Sequence, residues 1–142
     1  MELLQKILLS GHFISFNVNW LLSLPQDRET GGCCISATLR DYARLGLLAL
    51  ADGVLPDGTR VVPEGWLAAS ATPSQGYEGY GYKWWLYGDK RFGARGVFGQ
   101  AIFVDPKANV VIAAHSNGQI ASGSDHNREL DAALLAISDF LR

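Results

Sequence analysis

The chain has 142 residues, 48% of them hydrophobic, and a formal net charge of −2 from 12 Lys+Arg against 14 Asp+Glu. That is enough apolar material for one folded domain with its own core. The balance of charge provides no basic face for nucleic-acid phosphates, and no stretch reaches the ~18 consecutive apolar residues that a membrane span requires.

Taken from the start, "MELLQKILLSGHFISF" places Leu3, Leu4, Ile7 and Leu8 at helical spacing until Gly11 interrupts them. Glu2 and Lys6 break its apolar character and no small-residue cleavage site follows, so no signal peptide is read and the expected location is cytoplasmic or unassigned. Cys33 and Cys34 are neighbours, a spacing at which disulfides rarely form, and nothing nearby lowers a thiol pKa; they read as small buried apolar residues. In "TLRDYARLGLLALADG" Thr38 is the expected N-cap with Asp41 three residues on, and Leu39, Tyr42, Ala43, Gly46 and Leu50 share one face until Gly53 ends the helix.

Two short apolar runs across Asp57 and Gly58 suit a tight hairpin, and Pro63 then opens a short helix expected to reach Ser70. "YGYKWWLYG" (residues 80 to 88), "ARGVFGQAIFVDP" and "NVVIAAHSNG" read as three antiparallel strands, the last two joined by a turn at "DPKAN". In the tail, Asp125 is the expected cap of a helix whose stripe of Leu130, Leu134, Ile137 and Leu141 covers one sheet face. The fold class is therefore α+β, an antiparallel sheet flanked by helices.

Chemistry is sparse. None of the ten serines sits in Gly-x-Ser-x-Gly or has a lysine three residues later, so neither common serine-nucleophile arrangement occurs in these residues. His12, His115 and His126 lack partners at metal-ligand spacing, and no metal or cofactor is implied. His115, ending an apolar strand, reads as structural or surface. The aromatics Tyr80, Tyr82, Trp84, Trp85 and Tyr87 alternate, so some face the core and some could wall a pocket. Gly96 and Gly99, flanking Val97 and Phe98, have two readings. They let a ligand lie against bare backbone with the Val97 N–H donating to a carbonyl, or they only permit a bulge or close helix packing.

Three segments, "GGCCISATLRDYARLGLLALADGVLPDGTRVVPEGWL", "YGYKWWLY" and "ARGVFGQAIFVDPKANVVIAAHSNG", in this order and at these separations, resemble the C-terminal portion of serine hydrolases of the class C β-lactamase type. Within that type the resemblance is to the 6-aminohexanoate-dimer hydrolase branch. It covers residues 18 to 140, which leaves residues 1–17 as a separate segment and 18–142 as the C-terminal part of a β-lactamase-like domain with a partial β-lactamase/transpeptidase-like fold. The resemblance implies hydrolysis of an amide, ester or β-lactam through a serine acyl-enzyme, with Ser-x-x-Lys, Tyr-x-Asn and Lys-Thr-Gly or His-Thr-Gly motifs.

Only the third motif falls within the chain, at Ala94-Arg95-Gly96, where alanine replaces the usual basic residue and speaks against recognition of a substrate carboxylate. The same mapping implies the Val97 N–H as oxyanion donor, Gly96 as the residue leaving room for the acyl group, and Arg95, Phe98 and Gln100 as substrate-binding candidates. Gly31 and Gly32 would make the turn before the first clear helix. The expectation is a C-terminal segment of such a hydrolase, from a truncated gene, a split gene or a pseudogene product, inactive alone for want of nucleophile and base. Its expected partners are a small amide or ester substrate, and a complementing N-terminal chain or a second copy to cover an open strand edge. The rival readings are a non-catalytic small-molecule-binding module and one component of a split hydrolase.

Overall fold

A computed structural model describes residues 19, 20, 22, 23, 28, 29 and 35–142. The expected helical pattern before Gly11, the Gly31–Gly32 turn and the two cysteines lie outside the described residues. The first elements are short antiparallel pairs: β1 (Asn19–Trp20) with β4 (Ile35–Ser36), and β2 (Leu22–Ser23) with β3 (Arg28–Glu29). Helix α1 (Leu39–Leu50) follows, then α2 (Trp66–Ser70), strands β5 (Trp85–Leu86), β6 (Phe92–Arg95), β7 (Ala101–Asp105) and β8 (Val110–Ala114), and helix α3 (Ser124–Phe140). The last four strands form one antiparallel sheet in chain order, β5-β6-β7-β8. Among the described residues no helix is long and apolar enough to cross a membrane.

Both sheet faces are covered, which is why all five residues of β7 are buried. Strand alternation sends Ile102 and Val104 to one side, where Phe92, Ala49, Tyr42, Leu45 and Val111 join them under α1. Ala101 and Phe103 go to the other side and meet Leu134, Leu130 and Leu135 of α3. Helix α1 starts as the sequence predicts: the Thr38 side chain accepts from the Asp41 N–H at 3.2 Å, and Thr38 Oγ1 donates to the Asp41 carboxylate at 2.8 Å. Its buried positions are Asp41, Gly46, Leu48 and Ala49, whereas Leu39, expected on the packed face, is exposed. A Cβ at Gly46 would overlap Val111 Cγ1 and lie 2.9 Å from Ile102 Cγ2, so the missing side chain lets the helix rest directly on the sheet.

Several expectations need correction. The sheet has four strands where three were expected, because "ARGVFGQAIFVDP" is the hairpin of β6 and β7, turning at residues 96–100. Residues 80–88 supply only a two-residue strand, since Lys83 takes a left-handed φ of +72° and Tyr80 bridges back to Trp85. Around Asp57 and Gly58 the chain does reverse, but Val54 and Arg60 meet as a single bridge. Helix α2 begins at Trp66, after Gly65 at φ +73°, because a left-handed residue cannot continue a right-handed turn back to Pro63. Asp125 lies inside the first turn of α3, where it complements the helix dipole, and Gly123 occupies the cap position. The inner stripe of α3 runs through Leu130, Leu134 and Ser138, while Ile137 and Leu141 face outward.

Ser138 faces inward because Asp105 does. Asp105, fully buried at the end of β7, accepts from Ser138 Oγ, from Arg142 Nε at 2.9 Å, and from the N–H groups of Lys107 and Ala108 at 2.9 and 3.1 Å. One carboxylate thus closes the β7–β8 turn and ties it to the end of α3. Burial works against its charge, but the donors from Arg142, Ser138, Ala108 and Lys107 outweigh burial and hold the carboxyl well below the usual range.

Three outcomes are expected. Gly46→Val overpacks the contact between α1 and the sheet and lowers stability by about 1–3 kcal/mol in urea unfolding. Because the Asp105 carboxyl is depressed in the folded state, its stabilisation is complete above about pH 4 and is lost as pH falls toward the lower folded value. Asp105→Asn therefore flattens the acid limb of a stability-versus-pH curve, and Ser138→Ala costs ~1.5–3 kcal/mol for one charge-assisted bond.

Candidate functional site

The β6–β7 hairpin fixes where Ala94, Arg95 and Gly96, the residues that the resemblance maps to the third motif, sit. Register pairs Ala94 with Ile102 and Arg95 with Ala101, so the ladder ends at Arg95 and residues 96–100 make the connection. The Gly96 N–H donates to Gln100 O at 2.8 Å, and the Gly99 N–H donates to Gly96 O at 3.1 Å, closing a β-turn over Val97 and Phe98. Gly99 has a φ of +88°, which a side chain would strain. The Phe98 N–H is taken by Gln100 Oε1 at 3.2 Å. Two carbonyls of the turn are held from the segment after β8: the Ser122 N–H donates to Val97 O at 2.6 Å and the Gly118 N–H to Phe98 O at 2.9 Å.

Of the five amides from Gly96 to Gln100, three are occupied, and those of Val97 and Gln100 have no hydrogen-bond partner among the described residues; Val97 is the one at the exposed tip. Val97 and Phe98 are 57% and 41% exposed at the tip. The arrangement can present one backbone donor, unspent and held in a fixed turn, to an acceptor arriving from outside.

The glycines themselves answer differently from the ligand-facing reading. The space a side chain at Gly96 would fill is taken by Gln100, whose Cβ and Cδ each lie 3.1 Å from that position. Gly96 therefore does not leave room for an acyl group on that side. At Gly99 the corresponding space is filled by His126, with Ser116 Oγ at 3.0 Å. Close packing of the chain on itself, including a helix side chain, is what these two glycines permit.

Arg95, the middle residue of the mapped motif, points to the α3 side. It forms an ion pair with Asp131, donates from Nε to the Tyr87 hydroxyl at 3.0 Å, and lies 5.2 and 5.4 Å from the centroids of Trp85 and Tyr87. Burial pushes the Tyr87 phenol up, with Arg95 acting in the opposite direction. The expected alternation of aromatics holds here: Trp84 packs edge-on against Phe92 at 5.0 Å on the α1 side, and Trp85 and Tyr87 bracket Arg95 on the other. His115 is exposed, and its ring lies nearly perpendicular to that of Tyr42 with centroids 4.9 Å apart. The residues sequence reasoning missed are Ser116 and His126, whose Oγ and Nε2 lie 3.1 Å apart against Gly99. No spacing in the sequence links them to the glycine.

Residues 15–136 match the Beta-lactamase family profile. The chain is 36% identical over 93 residues to the 6-aminohexanoate-dimer hydrolase of Paenarthrobacter ureafaciens, covering 55% of this chain and 24% of that protein. It superimposes with a TM-score of 0.74 and 24% identity on a solved structure from Bacillus anthracis described provisionally as a 6-aminohexanoate-dimer hydrolase, covering 90% of this chain and 35% of that one. The α+β architecture is thus that of β-lactamase-like hydrolases, and the chain spans about a quarter to a third of these relatives.

Gly99→Ala places a Cβ on the His126 imidazole at a left-handed φ, and is expected to cost about 1–3 kcal/mol by chemical denaturation.

Proposed function

Given that the chain belongs to the Beta-lactamase family, we propose that its β6–β7 turn supplies an oxyanion donor, the Val97 N–H, to a serine acyl-transfer site whose nucleophile comes from polypeptide outside these residues. The reaction is hydrolysis of an amide, ester or β-lactam through a serine acyl-enzyme. The serine hydroxyl attacks the carbonyl carbon as a base takes its proton, negative charge gathers on the carbonyl oxygen, and a preset amide stabilises that charge at no cost in reorganisation. The observation that carries the reading is the open Val97 amide at the exposed tip of a turn whose Gly96, Phe98 and Gly99 amides are bonded.

The substrate side of the turn is apolar. Ala94 stands where the motif elsewhere carries a basic residue, and the Arg95 guanidinium is engaged by Asp131 and Tyr87. Neither offers a free cation, so the reading favours an amide or ester whose carbonyl is held by Val97, with no carboxylate anchored at this strand. Phe98 supplies exposed apolar surface beside the donor, and Gln100 shapes the turn from beneath.

The missing groups would come from a complementing N-terminal portion, joined or separate. Strand β8 supports this: Val110 to Ala114 are apolar, are not fully buried although helices lie on both sheet faces, and have no pairing on their outer edge among the described residues. An edge with neither charge nor proline to blunt it is suited to accept another strand, from that portion or from a second copy.

The purified chain alone is expected to show no ester or amide turnover above buffer. Mixed with an N-terminal part that carries Ser-x-x-Lys, it should restore burst kinetics. Val97 occupies the turn's second position, where proline is tolerated, so Val97→Pro removes the N–H with the turn intact. That variant should lower kcat in the assembled enzyme by about 10²–10³-fold. Turnover by the chain alone, or an unchanged kcat for Val97→Pro, would refute the proposal.

A further inference from the structure

The direction of an N–H is set by the planes of the peptide units around it, since each unit is rigid. The unit that carries the Val97 N–H also carries Gly96 C=O, which accepts from the Gly99 N–H at 3.1 Å. The next unit joins Val97 C=O, bonded by the Ser122 N–H, to the Phe98 N–H, bonded by Gln100 Oε1. Whatever fixes Gly99 therefore fixes the plane that aims the Val97 amide.

We infer that Ser116 and His126 are positioning residues for the Val97 N–H, clamping Gly99 from the segment between β8 and α3. The inference rests on the reading of Val97 as donor. His126, on the first turn of α3, presses its Nε2 edge onto the face of Gly99 where a Cβ would stand. Ser116 Oγ, 3.1 Å from Nε2, bonds to the imidazole and sits beside the same glycine, so each side chain fixes the other. Both are partly buried, and Gly99 is buried.

The clamp is reinforced by backbone. Gly118, two residues after Ser116, donates to Phe98 O, and Ser122, four before His126, donates to Val97 O. Side chains and main chain of one segment thus hold two consecutive peptide units and the glycine that closes the turn. This arrangement leaves the Val97 N–H with a fixed direction, which is what transition-state stabilisation by a preset dipole requires.

The test uses the intact chain with His126→Ala, His126→Gln and Ser116→Ala, read by amide hydrogen exchange, by the Val97 amide resonance and by melting temperature. For His126→Ala, exchange at Gly99 and Gly118 should quicken roughly tenfold, as expected for a local opening, and the Val97 resonance should shift or broaden while the β7–β8 amides and the melting temperature hold. His126→Gln, which keeps a polar group at that reach, should restore most of the protection, and Ser116→Ala should fall between.

Unchanged exchange at Gly99 and Gly118 in His126→Ala would overturn the inference. So would a uniform loss of protection across β6–β8, because that marks a general packing role. If Val97→Pro leaves kcat untouched in the assembled enzyme while this exchange pattern appears, the clamp exists and the donor reading is what has failed.

Discussion

A peptide N–H at the tip of a hairpin must find an acceptor or face outward, and in the 96–100 turn the amides of Gly96, Phe98 and Gly99 find acceptors among the described residues while that of Val97, at the exposed tip, does not. The turn satisfies Gly96, Phe98 and Gly99 internally and leaves Val97 and Gln100, of which Val97 is exposed and Gln100 half-buried. Gln100 takes part twice, its carbonyl accepting from Gly96 and its side chain from Phe98, so one residue satisfies two amides of a short loop. The functional reading depends on this distribution of bonds more than on empty space, because the volume beside both glycines is filled by Gln100, His126 and Ser116.

A turn is only as rigid as the strands and helices behind it. Strand β7 is buried along its whole length between α1 and α3, and Gly46 allows the close seating of α1 that completes one layer. On the opposite side, Leu134 and Phe103 pack together while Asp105 binds Ser138 and Arg142, so α3 is fastened to the sheet at the end remote from the candidate site. At its other end α3 presents His126 to Gly99. The helix thus links the buried carboxylate to the turn, and Arg95 adds a second tie through Asp131 midway along it.

The α+β class, the start of α1 at Thr38 and the order of the segments were legible in the sequence because they rest on local periodicity and capping. The family was legible too, through the resemblance of three segments in order. What the sequence hid is non-local. A hairpin at residues 96–100 looks like a continuous apolar run when the left-handed Gly99 is preceded by Val97 and Phe98 instead of polar turn formers. The inward direction of Ser138 conflicts with its polarity and becomes intelligible only once Asp105 is placed beside it. His126 and Ser116 meet Gly99 from ten or more residues away, with no periodicity to announce it.

Function at this turn depends on the Val97 amide being an open donor in an ordered turn. Amide hydrogen exchange of the unmodified chain, resolved residue by residue, tests this most directly. Val97 should exchange at close to the rate of an unbonded amide while Gly96 and Gly99 on either side are protected; a Val97 amide as slow as its neighbours, or all of them equally fast, would contradict it.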